Sequence, residues 1–600
     1  MSINRREFMQ VMGAAAAAGM LPGCDNKNGK AKVSAKSPEK IYDIPTFGNV
    51  GLMHMTDSHA QLNPIYFREP NVNLGVGDAL GKAPHIVGDK LLDHFGIAKN
   101  SIQAHAFSYL DFAEAAKTYG KVGGFAHLRT LVKKLRAEHG PDKTLLLDGG
   151  DTWQGSYSAY MSRGMDMVGA CNRLGVDVMT GHWEFTYLDE EVIKNVKAFK
   201  GDFVCQNVFV KDDAAFDYRF ADFEGFNENS QRAFKPYTIK KLGDVRVAVI
   251  GQAFPYTPIA NPQRFIPDWT FGIRDSEMQK IVDKVRETEK PDVVVVISHN
   301  GMDVDLKMAS KVSGIDAIFG GHTHDGMPKP TVVKNKGGQT LVTNAGSNGK
   351  FLGFMQFDVR DGKVKDWRYT LIPVFSNLLE ADKEMTSYIQ EVRAPYTKML
   401  TEELAVAEGL LYRRGNFNGT FDQIICDALR VVGGAQISLS PGFRWGTSVL
   451  PGQAITMDNV MDQTCMTYPE TYVREMDGKT IKLILEDVAD NLFNHDPYYQ
   501  QGGDMVRVGG MDYSIDINGG REKRITDMTL DDGTKIDPNK MYTVAGWATV
   551  GSKAPGKPVW DVVAEYLRDE KVAKIKKMNT PKIKGAKGNP GIVEYLGESV

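Results

Sequence analysis

The chain has 600 residues, of which 42% are hydrophobic and 24% charged, and a formal net charge of −3. That length favours at least two domains, and the composition is that of a soluble globular protein. The slightly acidic balance argues against a nucleic-acid binder, which carries a basic excess, and no apolar run reaches the ~20 residues that span a bilayer.

Asn4-Arg5-Arg6-Glu7-Phe8 opens the chain and leads into a small apolar run over 11–21 that contains five consecutive alanines. Residues 1–24 read as a twin-arginine export signal. That route carries proteins already folded, which suits a metalloprotein. Leu21-Pro22-Gly23-Cys24 resembles a lipobox; lipidation at Cys24 and ordinary cleavage are both left open, and a membrane enters only through the first. Residues 25–44 are rich in Lys, Ser and Asn and read as a disordered tether. Cys171, Cys205, Cys426 and Cys465 show no CxxC spacing, so no zinc ribbon or thioredoxin-type site is expected. Buried thiols are expected, with a single disulfide left open.

Residues 45–372 alternate apolar strand runs with helical patterns and predict an α/β layered domain. Residues 124–139 predict a helix, with Phe125, Leu128, Leu131, Val132 and Leu135 on one face. Residues 63–119 lack the strand-and-ligand pattern and read as an insertion near the site entrance. Five apolar runs, at 50–56, 144–147, 176–179, 293–297 and 314–319, each lead into Asp or His. The residues delivered are Asp57 and His59, Asp151, His182, His299, and His322 and His324. In open α/β sheets ligands bind at the carboxyl ends of the strands. Residues 373–404 read as a helical connector, with Pro395 marking a bend. Residues 405–600 change to Gly-rich short strands and a few helices, a second, smaller α/β domain. There residues 480–493 predict a helix and 541–545 a strand leading to Gly546-Trp547.

Two aspartates and five histidines exceed the needs of one ion. They suit two metals about 3.5–4 Å apart with a bridging carboxylate. Asp151 is taken as the bridge, with Asp57, His59 and His324 completing one position and His182, His299 and His322 the other. Nitrogen and oxygen donors without thiolate accommodate Zn, Mn, Fe or Co.

The order Asp57-x-His59, Gly150-Asp151, Gly181-His182-x-Glu184, His299, Gly321-His322-x-His324 resembles the calcineurin-like metallophosphoesterases. The two-domain form with an exported N-terminus resembles the 5′-nucleotidase family. That family reads Gly-Asn-His-Glu-Phe-Asp where this chain has Gly181-His182-Trp183-Glu184-Phe185-Thr186. The resemblance thus puts Trp183 in the place of a catalytic His and Thr186 in the place of its partner Asp. Trp cannot donate a proton at neutral pH. An alkoxide leaving group needs that help, and a persulfide needs little.

That departure, with Asn63-Pro64-Ile65-Tyr66-Phe67-Arg68-Glu69-Pro70 and the export signal, resembles the SoxB family of thiosulfohydrolases. The resemblance implies a periplasmic dimanganese hydrolase, with Zn as the alternative metal. Its substrate would be a cysteine S-thiosulfonate on the SoxYZ carrier protein, its nucleophile a metal-bound hydroxide, and its product sulfate. The alternative is a periplasmic 5′-nucleotidase or phosphodiesterase. Gly442-Phe443-Arg444 is similar to the nucleotidase substrate-binding turn, which assigns Arg444 to substrate. Arg413, Arg414 and Asn416 in a Gly/Asn-rich loop, together with Trp183 and Trp547, complete the candidate substrate residues. His54, His85, His94, His105, His127, His139 and His495 fit no ligand pattern and are read as structural or surface residues.

Overall fold

The computed structural model describes residues 40–551 and 553–593. The export signal, Cys24 and most of the tether lie outside them. Two six-stranded sheets lie face to face in the first domain. One has the order Lys363–Pro373, Phe351–Arg360, Val50–Met55, Thr144–Asp148, Val178–Met179, Asp202–Phe203. The other runs Thr331–Asn335, Gly338–Asn344, Ala317–Gly320, Val293–Ser298, Val245–Gln252, Tyr237–Leu242. The ligand-bearing strands in each sheet are parallel neighbours, so their carboxyl ends share one edge.

The run Val293–Ser298 shows why these strands read as continuous apolar stretches. Val293, Val295 and Ile297 point into the core between the sheets, against Leu52, Leu147 and Phe319. Val294 and Val296 point the other way, beneath the helices Asp275–Lys284 and Met302–Lys311. A strand buried on both faces has no reason to alternate. The helices Phe125–His139 and Met165–Leu174 cover the outer face of the first sheet. The result is four layers: helices, sheet, sheet, helices.

Several element bounds differ from the sequence reading. The run at 314–319 becomes a strand only at Ala317–Gly320, and that at 176–179 only at Val178–Met179. The helix expected at 480–493 starts at Gly478, capped by Asp477, whose side chain accepts from Thr480 N. Ile481 and Leu485 enter its core, whereas Ile484 and Val488 face a groove between the domains. The strand at 541–545 continues through Trp547, because it pairs with Thr471–Asp477 along its whole length and with Ile437–Gly442 from Val544 to Gly546. All four cysteines named above are free and buried.

The connector contains the helices Lys383–Arg393 and Thr397–Leu400, separated by a 3₁₀ turn at Ala394–Tyr396 that holds Pro395. The second domain centres on the sheet Thr471–Asp477, Met541–Trp547, Ile437–Gly442, Asp504–Gly509. The insertion at 63–119 is more than a loop. It carries the helices Gly88–Phe95, Ile102–Phe107 and Phe112–Tyr119, and it straps the domains together. Asn73 N donates to Gly591 O at 2.8 Å, Ser448 N to Tyr66 O at 2.7 Å, and Val87 N to Pro590 O at 3.0 Å. Val72, Leu74 and Val76 bury themselves in the core of the second domain beside Phe417 and Met505.

Candidate metal centre

The loops leaving the five strands bring all seven predicted ligands to one place. His182, His299 and His322 form one group, and Asp57, His59, Asp151 and His324 another, with ligand atoms within each lying no more than 4.8 Å apart. Five of the seven, Asp57, His59, Asp151, His322 and His324, hold positive φ between 45° and 71°. Left-handed backbone costs a side-chain-bearing residue roughly 1–2 kcal/mol, so these turns persist because the surrounding sheets fix them. Gly321 has no alternative: a Cβ there would lie 2.3 Å from Thr56 Oγ1 and 2.9 Å from Asp57 Oδ2.

Within the cluster, His59 Nε2 lies 3.0 Å from His324 Nε2. His324 Nε2 is 3.2 Å from Asp57 Oδ1, and His182 Nδ1 is 3.1 Å from Asp151 Oδ2. His299 Nδ1 donates to Gly149 O at 2.7 Å, which orients the ring and turns Nε2 towards Asp57 and Asp151, at 3.4 and 3.5 Å. Burial pushes His59 and His182 down to about 4, so both present neutral imidazoles. Burial also carries His322 and His324 well below the ordinary range. His299 goes the other way: burial lowers it, but the Asp57 and Asp151 carboxylates outweigh that and raise it to about 9.

The donor set fits divalent cations. Asp151 Oδ1, His182 Nε2 and His299 Nε2 are buried without a hydrogen-bond partner; imidazole nitrogens facing one another and two carboxylates would be relieved by a cation, which would also take the place of the His299 proton. The position of Asp151 suits a shared ligand, since its carboxylate approaches His182 and His299 from one group and His59 from the other. The arrangement is of the two-metal type.

Glu184 has a role that its motif position did not disclose. Its buried carboxylate accepts from four backbone N–H groups, those of Asp151 (3.0 Å), Thr152 (2.7 Å), Trp153 (3.0 Å) and His182 (2.8 Å). It therefore ties two ligand loops together rather than binding metal. Phe254 was also missed. It follows the strand Val245–Gln252 and packs its ring against His182 and His322, at centroid distances of 4.2 and 4.1 Å. That strand ends at the same sheet edge, which was the available signal.

From the metal cluster an interdomain groove of about 440 Å³ opens between Trp183, Phe443, Trp445, Tyr468 and Trp547. Trp183 stands beside His182, at 4.9 Å between ring centroids, and meets Trp445 edge-on. Trp547 lines the groove with its indole N–H bound to Ser440 Oγ at 2.8 Å. Arg444 reaches the groove from the turn after Ile437–Gly442, held by Asp504 at 3.4 Å. Arg414 lies behind it, in a smaller neighbouring cavity. Two assignments are corrected. Arg413 turns inward, with Nε donating to Asp422 Oδ1 at 2.8 Å and its side chain 1% exposed, so it braces the fold. Asn416 spends its amide on Asp504 (3.2 Å) and accepts from Leu74 N (2.7 Å), anchoring the strap rather than a substrate.

Residues 405–564 match the family described as 5′-nucleotidase, C-terminal domain. A Thermus thermophilus structure, "Sulfate thiohydrolase SoxB in complex with glycerol", is 34% identical with a TM-score of 0.83, covering 91% of this chain and 98% of that one. The chain belongs to the SoxB family. A 5′-nucleotidase precursor from the same species shares the fold at 21% identity and a TM-score of 0.69, over 89% of this chain and 99% of its own. Among curated relatives, UshA of Yersinia enterocolitica is 24% identical over 74% of this chain and 84% of its own length. The chain spans only 32% of the Bacillus subtilis trifunctional nucleotide phosphoesterase YfkN and 59% of the Naja atra venom 5′-nucleotidase. With SoxB and the nucleotidases as relatives and a two-metal-type cluster in place, this SoxB-family chain is a metal-dependent hydrolase.

Proposed function

We propose that this chain hydrolyses a cysteine S-thiosulfonate presented on a carrier protein, the SoxYZ type, releasing sulfate and leaving a persulfide on the carrier. The observation that carries the reading is Trp183. The ring at the metal cluster where a phosphoesterase needs an acid is an indole, which neither takes nor gives a proton at neutral pH. Besides metal ligands, the groove's ionisable lining among the described residues is Arg444, Arg474, Asp504 and tyrosines. Burial pushes the Tyr468 phenol well above its ordinary range, so it is a poor acid. A reaction run here must expel a leaving group that needs no protonation.

The thiosulfonate meets that condition. Oxygen from water bonds to the sulfonate sulfur, the sulfur–sulfur bond breaks, and its electron pair stays on the carrier as a weakly basic persulfide. Both protons of that water pass to solvent, and sulfate leaves as the dianion. Two divalent ions held by the seven ligands supply Lewis acidity and a water of lowered pKa. Manganese is our assignment for both positions, with zinc the alternative allowed by an N/O donor set. Arg444 holds the sulfonate oxygens by charge-assisted hydrogen bonds. The aromatic walls exclude water from a thin peptide arm. Nucleobase recognition has less support: Phe443 is already stacked on Trp445 at 4.0 Å and meets Trp547 at 74°, so these rings leave no open parallel pair for a base.

The test compares sulfate release from thiosulfonate-loaded carrier with phosphate release from nucleotides and aryl phosphates, at equal metal loading. Sulfate turnover with near-absent phosphatase activity is expected. Trp183→His combined with Thr186→Asp rebuilds an acid and its orienting carboxylate. It should raise aryl-phosphate hydrolysis by roughly 10²–10⁴-fold. A parent protein that hydrolyses nucleotides efficiently overturns the reading.

Among the described residues no helix is long and apolar enough to cross a membrane. The Arg5-Arg6 motif is the ground on which we place the mature protein in the periplasm, exported by the twin-arginine route. Mass spectrometry of the mature N-terminus decides between release and lipidation at Cys24.

A further inference from the structure

Beside the aromatic groove lies a second, more polar cavity of about 50 Å³, separated from it by Arg444, Gly502 and Asp504. A single water needs roughly 10–15 Å³ of such space, so this chamber has room for several waters or one tetrahedral oxyanion. Its walls come from three parts of the chain. The strap contributes His85, the segment after His299 contributes Asp303, and the second domain contributes Arg414 and Arg444.

One nitrogen on each of three side chains in this chamber is buried without an acceptor: Arg414 Nε, Arg444 Nη1 and His85 Nδ1. Arg414 is 5% exposed, makes no hydrogen bond to any described residue, and has Nε buried without a partner. The Asp504, Glu69 and Asp325 carboxylates offset the cost of burying this guanidinium, but a buried N–H without an acceptor still costs free energy. Arg444 uses Nε on Asp504 and keeps Nη1 buried and unpaired. His85 Nε2 lies 2.9 Å from Asp303 Oδ2, and its Nδ1 is buried with no partner. Burial lowers His85, but Asp303 outweighs it and raises the imidazole above its ordinary range, which leaves Nδ1 as a donor. The acids nearby are engaged: Asp303 by His85, and Asp504 by Arg507 at 3.1 Å as well as by Arg444. Asp325 accepts from Asn73 at 3.4 Å.

We propose that this chamber is a second oxyanion site, which receives the tetrahedral product from the metal centre while the carrier arm still fills the aromatic groove. Naming that product sulfate rests on the function proposed above; the site itself needs only a tetrahedral dianion. Arg444 borders both cavities, so the anion passes from the metals to Arg414 and His85 without losing contact with a cation. Product departure then does not wait for the carrier to withdraw.

Crystals of the metal-loaded protein soaked in selenate, located by its absorption edge, test this. A peak in hydrogen-bond reach of Arg414 and His85, separate from any at the metals, is expected. Arg414→Gln should remove that peak and leave metal content unchanged. It should also slow steady-state turnover of loaded carrier several-fold more than the single-turnover rate, with partial recovery in Arg414→Lys. His85→Phe serves as the second variant should Arg414→Gln fail to fold. An empty chamber at selenate concentrations that fill the metal position overturns the site. A peak with equal effects on both rates means an adventitious ion only, and overturns the role. Displacement of selenate by phosphate but not by sulfate keeps the chamber and removes the thiosulfonate reading.

Discussion

The two domains contribute to the site by different means. In the first, seven ligands sit just past five strand ends, and their positions follow from sheet edges that the apolar runs already define. In the second, three arginines of similar sequence surroundings have different fates. Arg413 is locked to Asp422, Arg414 keeps its Nε buried without a hydrogen-bond partner, and Arg444 leans on Asp504 at the groove wall. A strand end fixes where a side chain starts and which way it leaves. A loop arginine is fixed by whichever carboxylate the distant chain brings near it.

Breaking the first domain's side should have the largest effect. Asp151→Ala is expected to reduce activity to background and lower occupancy at both metal positions, as exhaustive chelation should, with manganese restoring only the parent. His59→Ala should empty mainly one position. Elemental analysis showing two full equivalents in the Asp151 variant would sink the bridge assignment. Next comes the contrast within the second domain. Arg413→Met leaves Asp422 buried beside Arg507 alone, and breaking a buried pair costs about 3–5 kcal/mol; denaturant unfolding should show that loss.

Glu184→Gln keeps the volume but weakens four backbone contacts to the ligand loops. Metal affinity should fall by roughly 10–100-fold, as for other groups that orient ligands, which a competitive chelator titration measures. The smallest effect is expected at Arg444→Met: about 2 kcal/mol, or roughly thirty-fold in kcat/KM on carrier substrate, with little change in unfolding or metal content. If Arg413→Met impaired turnover without loss of stability and Arg444→Met did the reverse, the contrast between the two arginines would be lost.

The legible part of the molecule is therefore its metal-bearing edge. Val293–Ser298 and Thr144–Asp148 announce themselves as doubly buried strands, and His299 and Asp151 follow at once. The positive φ values of Asp57, His59 and His324 could not be read, because nothing local selects them. They result from loops held between two sheets. Glu184 was visible as part of a motif, yet its work is done on the backbone of residues more than thirty positions earlier. His85 was read as structural or surface because its partner Asp303 is 218 positions away. Asn416 and Arg413 were assigned to substrate on loop composition, and long-range partners decided otherwise.

The strap has a consequence for the order in which the protein is made. Asn589 donates to Gly75 O across 514 positions, and Gly591 meets Asn73 from the same distant segment. Residues 63–119 leave the ribosome early, but the last of their anchorage waits until positions 589–592 emerge. Contacts this far apart in sequence form late and slowly. Until the second domain follows, Val72, Leu74 and Val76 lack the cover of Phe417 and Met505, although the loops that bear the metal ligands are already synthesised. A truncated chain would thus carry every metal ligand and still display an open apolar strip, a surface that chaperones and proteases can recognise. Only a chain complete to this segment can finish covering that strip, so closure of the strap marks the last step of folding.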